Sequence, residues 1–217
     1  MQAGSGSDPR RRQLQGVPTS WPSAVGARDL DRSDTLLFCI RGAGVLALEG
    51  TTPLALRSAA LVLAGESAVM TAETDGLALL AASVGRGGDR HAPLGAREVV
   101  VPFAAAADHG AAERRSFRIL LGPHNGSTRA TMFVGLVRPG KASLHYHLYD
   151  EIVWTPSGPG RFHLADGGEE LRAGSSFRLP PRQPHVVENT GTGVLELLGV
   201  FTPAGSPSAA YLAPDLA

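Results

Sequence analysis

The chain has 217 residues, 43% of them apolar and only 18% charged, and its 20 basic and 20 acidic side chains cancel. That composition is enough for a core and leaves no electrostatic footprint for a nucleic acid or an anionic membrane. Lys141 is the single lysine and Cys39 the single cysteine, so Schiff-base chemistry has one candidate, an internal disulfide is excluded, and the apolar run around Cys39 predicts a buried thiol.

Residues 1–20 hold a Gly/Ser stretch and then Arg10, Arg11 and Arg12, with no hydrophobic segment behind them. They read as a disordered polar tail and not as a secretory signal; no stretch is apolar for long enough to span a bilayer, and a cytoplasmic protein is expected. From Thr35 onward short apolar runs are cut by glycine and proline, at 36–40, 45–48, 54–56, 61–64, 69–71 and 77–84. Each is strand-sized and each break is turn-like. Residues 85–91 form a Gly/Arg-rich break, 98–103 suit a strand, and the alanine-rich 104–115 has room for one helical turn or two. Strand-like runs resume at 116–121 and 131–138, with a hairpin signal at Asn125-Gly126 between them. Further runs follow at 151–155, 160–165, 176–179, 185–188 and 194–201, and the Pro/Ala-rich tail after Thr202 suits an arm on the surface. Many short strands with little helix predict an all-β sandwich or barrel.

The strongest chemical signal is the stretch 139–151. His145 and His147 are two apart, which on a strand puts both imidazoles on one face, and Glu151 follows after a gap long enough for a turn. Two imidazoles and a carboxylate aimed at one point suit a divalent ion such as Fe, Mn, Ni, Cu or Zn. His185, where a proline-rich turn releases the chain into another strand, is a fourth candidate.

A repeat search adds a second layer. A shift of 116 residues carries Gly42 to Gly158, Gly44 to Gly160, Leu48 to Leu164, Leu63 to Leu179 and Val84 to Val200. The same ungapped shift sets Asp29, Asp31, Thr35 and Val69 opposite His145, His147, Glu151 and His185, so the chemistry is expected in the second half only.

The second half resembles the cupin superfamily. That family's first motif runs Gly, five residues, His-x-His, three or four residues, Glu, six residues, Gly. His145, His147, Glu151 and Gly158 fit, with Pro139 in the first glycine's place and Gly140 one residue closer. The second motif runs Gly, five residues, Pro-x-Gly, two residues, His, three residues, Asn. Gly174, Pro180, His185 and Asn189 fit, and Arg182 stands at the turn-shaping glycine. The resemblance covers about residues 117–203; the first half resembles a degenerate cupin by register and pattern. It implies two small antiparallel β-barrels of the double-stranded β-helix (jelly-roll) type, with a metal bound by His145, His147, Glu151 and His185. The expected organisation is a tail (1–20), a degenerate unit (21–90), a linker (91–115), a metal-binding unit (116–203) and a C-terminal arm (204–217).

Strand alternation places Val153 and Thr155 on the face of Glu151, and Val187 and Asn189 on that of His185, as candidate pocket walls. Arg161 and His163 are candidate supporting or substrate-contacting groups. Arg161, Arg178 and Arg182 are the basic residues expected nearby, too few to favour a sugar phosphate. Trp154 has the opposite parity and is expected outside the barrel; His91, His109 and His124 read as surface residues. No nucleophile elbow, phosphate loop or dinucleotide fingerprint is present. The resemblance implies a metal-dependent oxidoreductase of dioxygenase type on a small molecule, often aromatic or enolic in cupins with this ligand set, with Glu151 as general base if it leaves the metal. The alternatives are a redox-neutral isomerase, cyclase or lyase, and a non-catalytic binding module. A small molecule is the expected partner, without nucleic acid or membrane, and a homodimer is compatible with the pattern.

Overall fold

The computed structural model describes residues 33–85, 90–111, 115–165 and 167–213. Asp29 and Asp31 lie outside the described residues. Nineteen strands and two 3-10 turns, with no α-helix, make up the described chain, so no helix there is long and apolar enough to cross a membrane. The helical turn expected within 104–115 is a 3-10 turn at Phe103–Ala105.

The first unit consists of β1 (Ser33–Arg41), β2 (Gly44–Ala47), β3 (Thr51–Leu54), β4 (Ser58–Val62), β5 (Val69–Ala72), β6 (Ala78–Gly85) and β7 (Val100–Pro102). It folds as a four-stranded sheet, β6-β1-β4-β7, facing a three-stranded sheet, β3-β2-β5. The second unit starts with β8 (His109–Gly110), β9 (Arg115–Leu121), β10 (Thr131–Val137), β11 (Gly140–Lys141) and β12 (His145–His147). It continues through β13 (Asp150–Trp154), β14 (Gly160–Leu164), β15 (Gly167–Leu171), β16 (Ser176–Leu179), β17 (His185–Asn189), β18 (Leu195–Thr202) and β19 (Ala210–Leu212). Its sheets run β16-β13-β18-β10-β9-β8 and β15-β14-β17-β12-β19, with β11 also paired to β17. The stretch 91–115 holds β7, which joins the first unit's sheet through β4, and β8, which joins the second's through β9.

The same pairing occurs twice. β1 lies between β4 and β6 as β13 lies between β16 and β18; β2 lies between β3 and β5 as β14 lies between β15 and β17. The ungapped shift nevertheless slips. Thr35 opposes Val62 where Glu151 opposes Leu179, and it opposes Ser83 where Glu151 opposes Phe201. The spacing is therefore 116 at β1 and β2, 117 at β4 and 118 at β6. The first extra residue sits in the β14–β15 hairpin. As Ala47 opposes Val69 and His163 opposes Val186, the counterpart of His185 is Ala68 and not Val69. Burial agrees, because Ala68 packs on the first unit's core while Val69 is exposed.

Of four apolar clusters among the described residues, two, around Val153 and Phe162, lie within the second unit, and the two largest explain the arrangement. One fills the first unit between its sheets, with Leu37, Cys39, Leu46, Leu54, Met70 and Leu79. The other is shared: Leu36, Phe38 and Leu61 of the first unit pack on Leu120, Met132, Val134 and Leu198 of the second, with Ile152 and Trp154 against them. Thus one face of β13 is committed to the contact between units, which frees the other face for the site. Arg57 adds a two-pronged contact to Glu196 at 2.8 and 3.0 Å and lies over the Phe103 ring. Asp34 and Arg129 form a buried pair, 3.3 Å apart.

Candidate metal centre

The alternation in Leu144-His145-Tyr146-His147-Leu148 decides the local geometry. His145 and His147 point inward and are buried; Tyr146 points outward and stacks on Tyr211 of β19. His145 is also the direct cross-strand partner of His185, so the three imidazoles share one face of the β12–β17 pair. Their ring centroids lie 4.5 to 5.1 Å apart, and one ring nitrogen of each lies within 4.8 Å of the others. Glu151 comes from β13 in the facing sheet, 3.9 Å from His147 Nε2. Room for it is made by Gly199 on β18: a Cβ there would lie 2.9 Å from Glu151 Oε1 and overlap the Phe133 ring.

Backbone carbonyls fix the tautomers. His145 Nδ1 donates to Ser143 O (2.9 Å), His185 Nδ1 to Gln183 O (2.9 Å) and His147 Nδ1 to Ala209 O (3.3 Å). A carbonyl only accepts, so each Nδ1 carries the proton and each Nε2 lone pair is left for the centre. Burial, reinforced by the neighbouring His145, pushes His147 down to about 4 and His185 down to about 3. Burial pushes Glu151 up to about 8. Three neutral imidazoles with convergent lone pairs and an adjacent carboxyl fit a divalent transition metal. The triad is thus a potential site for such an ion.

The turn before β17 keeps its expected shape. Arg182, at the motif's glycine, adopts φ +67°, the left-handed conformation glycine would supply, and its N–H donates to His147 O at 2.6 Å.

A cavity of about 330 Å³ opens on the triad, between the two sheets. Val153 and Val187 line it, with His145, His147, Glu151 and His185. The other wall candidates lie elsewhere. Thr155 is fully buried at the end of β13, held through its backbone to Ser175 and Gly174. Asn189 closes a turn, with its amide donating to Val137 O and Gly193 O. Arg161 is exposed, and His163 pairs with Glu188 at 2.7 Å away from the cavity.

Several lining residues escaped the sequence reading. Phe117, Phe133, Phe177 and Leu197 supply apolar walls, and Pro207, Ser208, Ala210, Tyr211 and Leu212 come from the C-terminal arm. The arm is at the surface, but β19 pairs with β12 along the two histidines. Tyr149 also lines the cavity, sandwiched between His147 and Phe201 (centroids 4.5 and 3.9 Å), with its hydroxyl donating to Pro207 O. Arg115 of β9 reaches in and donates from Nη1 to His145 Nε2 at 3.2 Å. Strand parity groups Arg115 with Phe117, but nothing local in the sequence says that β9 faces the histidines.

Residues 133–201 match the family model described as a cupin domain. No curated protein matches the sequence. Among solved structures, the fold is similar to that of a serine-to-alanine mutant of Bacillus subtilis oxalate decarboxylase OxdC, at 14% identity and TM-score 0.69, covering 88% of this chain and 68% of that one. An arginine-to-alanine mutant of the same enzyme gives 14% identity and TM-score 0.66, with 84% of this chain covered; this chain spans 66% of that one's length. AerE from Microcystis aeruginosa gives 12% identity and TM-score 0.66, covering 82% of this chain and 81% of that one. The Bacillus decarboxylase has Mn(II) centers. Residues 133–201 thus match a cupin domain, and the fold of the chain is similar to that of these structures.

Proposed function

We propose that the chain is a metal-dependent enzyme for a small organic molecule, built as two cupin-type units of which the second alone holds the ion. The observation that carries this reading is the convergence of three imidazoles with backbone-fixed tautomers at one end of an apolar cavity. His145, His147 and His185 would hold the ion, with Glu151 as the fourth ligand or the proton acceptor. When bound, the ion supplies Lewis-acid polarisation of a substrate oxygen. Phe117, Phe133, Val153 and Val187 exclude water around the substrate, and Glu151 lines the same space, within reach of a proton on it.

A redox-neutral lyase or isomerase reaction is the reading we favour. Its support is the decarboxylase among the structures of like fold, together with a carboxyl placed in the cavity beside the triad. The dioxygenase reading is favoured by one feature, the aromatic and aliphatic lining, which suits O₂ and an apolar substrate together. Elemental analysis of purified protein tests the common premise: about one transition metal per chain is expected, and none after expression in metal-supplemented medium would sink both. O₂ consumption across a panel of small phenols, diketones and carboxylic acids then separates them. Turnover without O₂ uptake is expected; stoichiometric uptake would reverse the preference.

A further inference from the structure

Arg115 is the one arginine or lysine among the described residues that line the cavity. Its position is specific. Nη1 donates to His145 Nε2 at 3.2 Å, and that nitrogen bears the lone pair left for the metal. Guanidinium and ion therefore compete for the same electrons. An ion held by His145 Nε2 would take that lone pair from Nη1 and would lie beside the guanidinium at the cavity wall. Two cations at that range in an apolar enclosure repel strongly, and an anion spanning both removes the repulsion. The planar fork of a guanidinium matches a carboxylate in two-pronged geometry. The other walls, Phe117, Phe133, Val153, Val187 and Leu197, suit an apolar body, and about 330 Å³ is at the small end of ligand pockets.

We infer that the site takes a small organic carboxylate whose anionic end is held by Arg115 and whose apolar body lies against these walls. This deepens the proposed function and rests on it for the ion; the carboxylate anchor can be read without the ion. The test is calorimetric titration of the full chain, metal-free and Mn²⁺-loaded, with benzoate, its neutral analogue benzyl alcohol and inorganic phosphate. Benzoate should bind the loaded protein most tightly of the three. Arg115→Met should weaken benzoate about tenfold or more, the loss of a charge-assisted pair, and leave benzyl alcohol unchanged. Arg115→Lys should recover part of the loss. In a separate titration without benzoate, Arg115→Met should bind Mn²⁺ more tightly than the parent, because a competing cation is gone.

Benzoate affinity within twofold of the parent in Arg115→Met, phosphate binding as tight as benzoate, or weaker Mn²⁺ binding by a folded Arg115→Met would each overturn the inference. The two readings fail separately. Mn²⁺ uptake with benzoate indifferent to residue 115 sinks the anchor alone. Arg115-dependent benzoate binding by a chain that takes up no metal supports the anchor and sinks the metal enzyme.

Discussion

The two units share a strand pairing and differ in what lies between their sheets. In the first, Leu37, Cys39, Leu46, Leu54, Met70 and Leu79 close the space. In the second, apolar clusters around Val153 and Phe162 fill part of the corresponding space and leave a cavity with three imidazoles and a carboxyl on its walls. At matched positions Thr35 stands for Glu151 and Ala68 for His185, with Thr35 bonded to Ser83 at 3.2 Å. Buried donors of this kind cost stability unless they are satisfied, and a hollow core forgoes contacts. The closed core of the first unit and the core shared between the units offset that deficit.

The largest expected contrast is in metal binding. His185→Ala or His147→Ala should abolish stoichiometric metal in elemental analysis, whereas Thr35→Ala should leave it intact; loss of metal in Thr35→Ala would end the assignment of chemistry to the second unit alone. Next comes packing. Leu46→Ala should cost about 3 kcal/mol in urea unfolding, the usual range for a fully buried leucine, whereas Val153→Ala, which loses contacts in the cluster with Val137, Leu195 and Leu197 but borders an existing cavity, should cost about 1–2 kcal/mol. Equal costs would mean that the cavity closes in solution.

Gly199→Ala probes the floor of the hollow unit. The added methyl must displace the Phe133 ring or the Glu151 carboxyl, so about 1–3 kcal/mol of destabilisation is expected, together with weaker metal binding in a Mn²⁺ titration. Unchanged metal affinity would show that the Phe133 ring gives way and the Glu151 carboxyl stays in place.

The pH dependence of metal-stripped protein follows from the two signs of shift. His147 and His185 are pushed down from 6.5 to about 4 and about 3, so the unfolded chain binds more protons below pH 6.5 and stability falls as pH drops from 6.5 toward 4. Glu151 is pushed up from 4.5 to about 8, so the folded chain binds more protons between 4.5 and 8 and its contribution falls as pH rises through that window. Two histidines outweigh one carboxyl below 6.5, and the carboxyl acts alone above it. Stability should therefore peak near pH 6.5 and decline by about 1 kcal/mol per pH unit on either side. Urea midpoints measured from pH 4.5 to 8 check this, and a flat profile would show that the site is wetter than its burial implies. The smallest effect belongs to Arg182→Gly, which relieves a left-handed arginine and should stabilise by about 1 kcal/mol in the same assay.

Strand existence and the shared face of His145 and His147 were legible in the sequence because both are local: period-two alternation, turn residues, and spacing along one strand; His185, on β17, joined them through the resemblance's second motif. The failures are non-local. Arg115, Phe117 and Leu212 reach the cavity from strands whose neighbours only the fold decides. Parity placed Val153 and Val187 on the cavity but overran at Thr155 and Asn189, where the strands end and their backbones turn away. The repeat was visible, yet its uniform spacing was not, because the second unit's longer turns displace β16 by one residue and β18 by two relative to the first. At Arg182 the sequence departs from the family's glycine while the backbone does not, since the turn must still present Arg182 N–H to His147 O.

The pairing of β19 with β12 has a practical consequence. Ala209 O orients His147, and Ala213 N–H donates to Leu144 O, so the centre is assembled partly by the last few described residues of the chain. Deleting 209–213 would therefore remove the acceptor that orients an imidazole of the candidate centre. Metal content should be measured on protein in which this segment is intact.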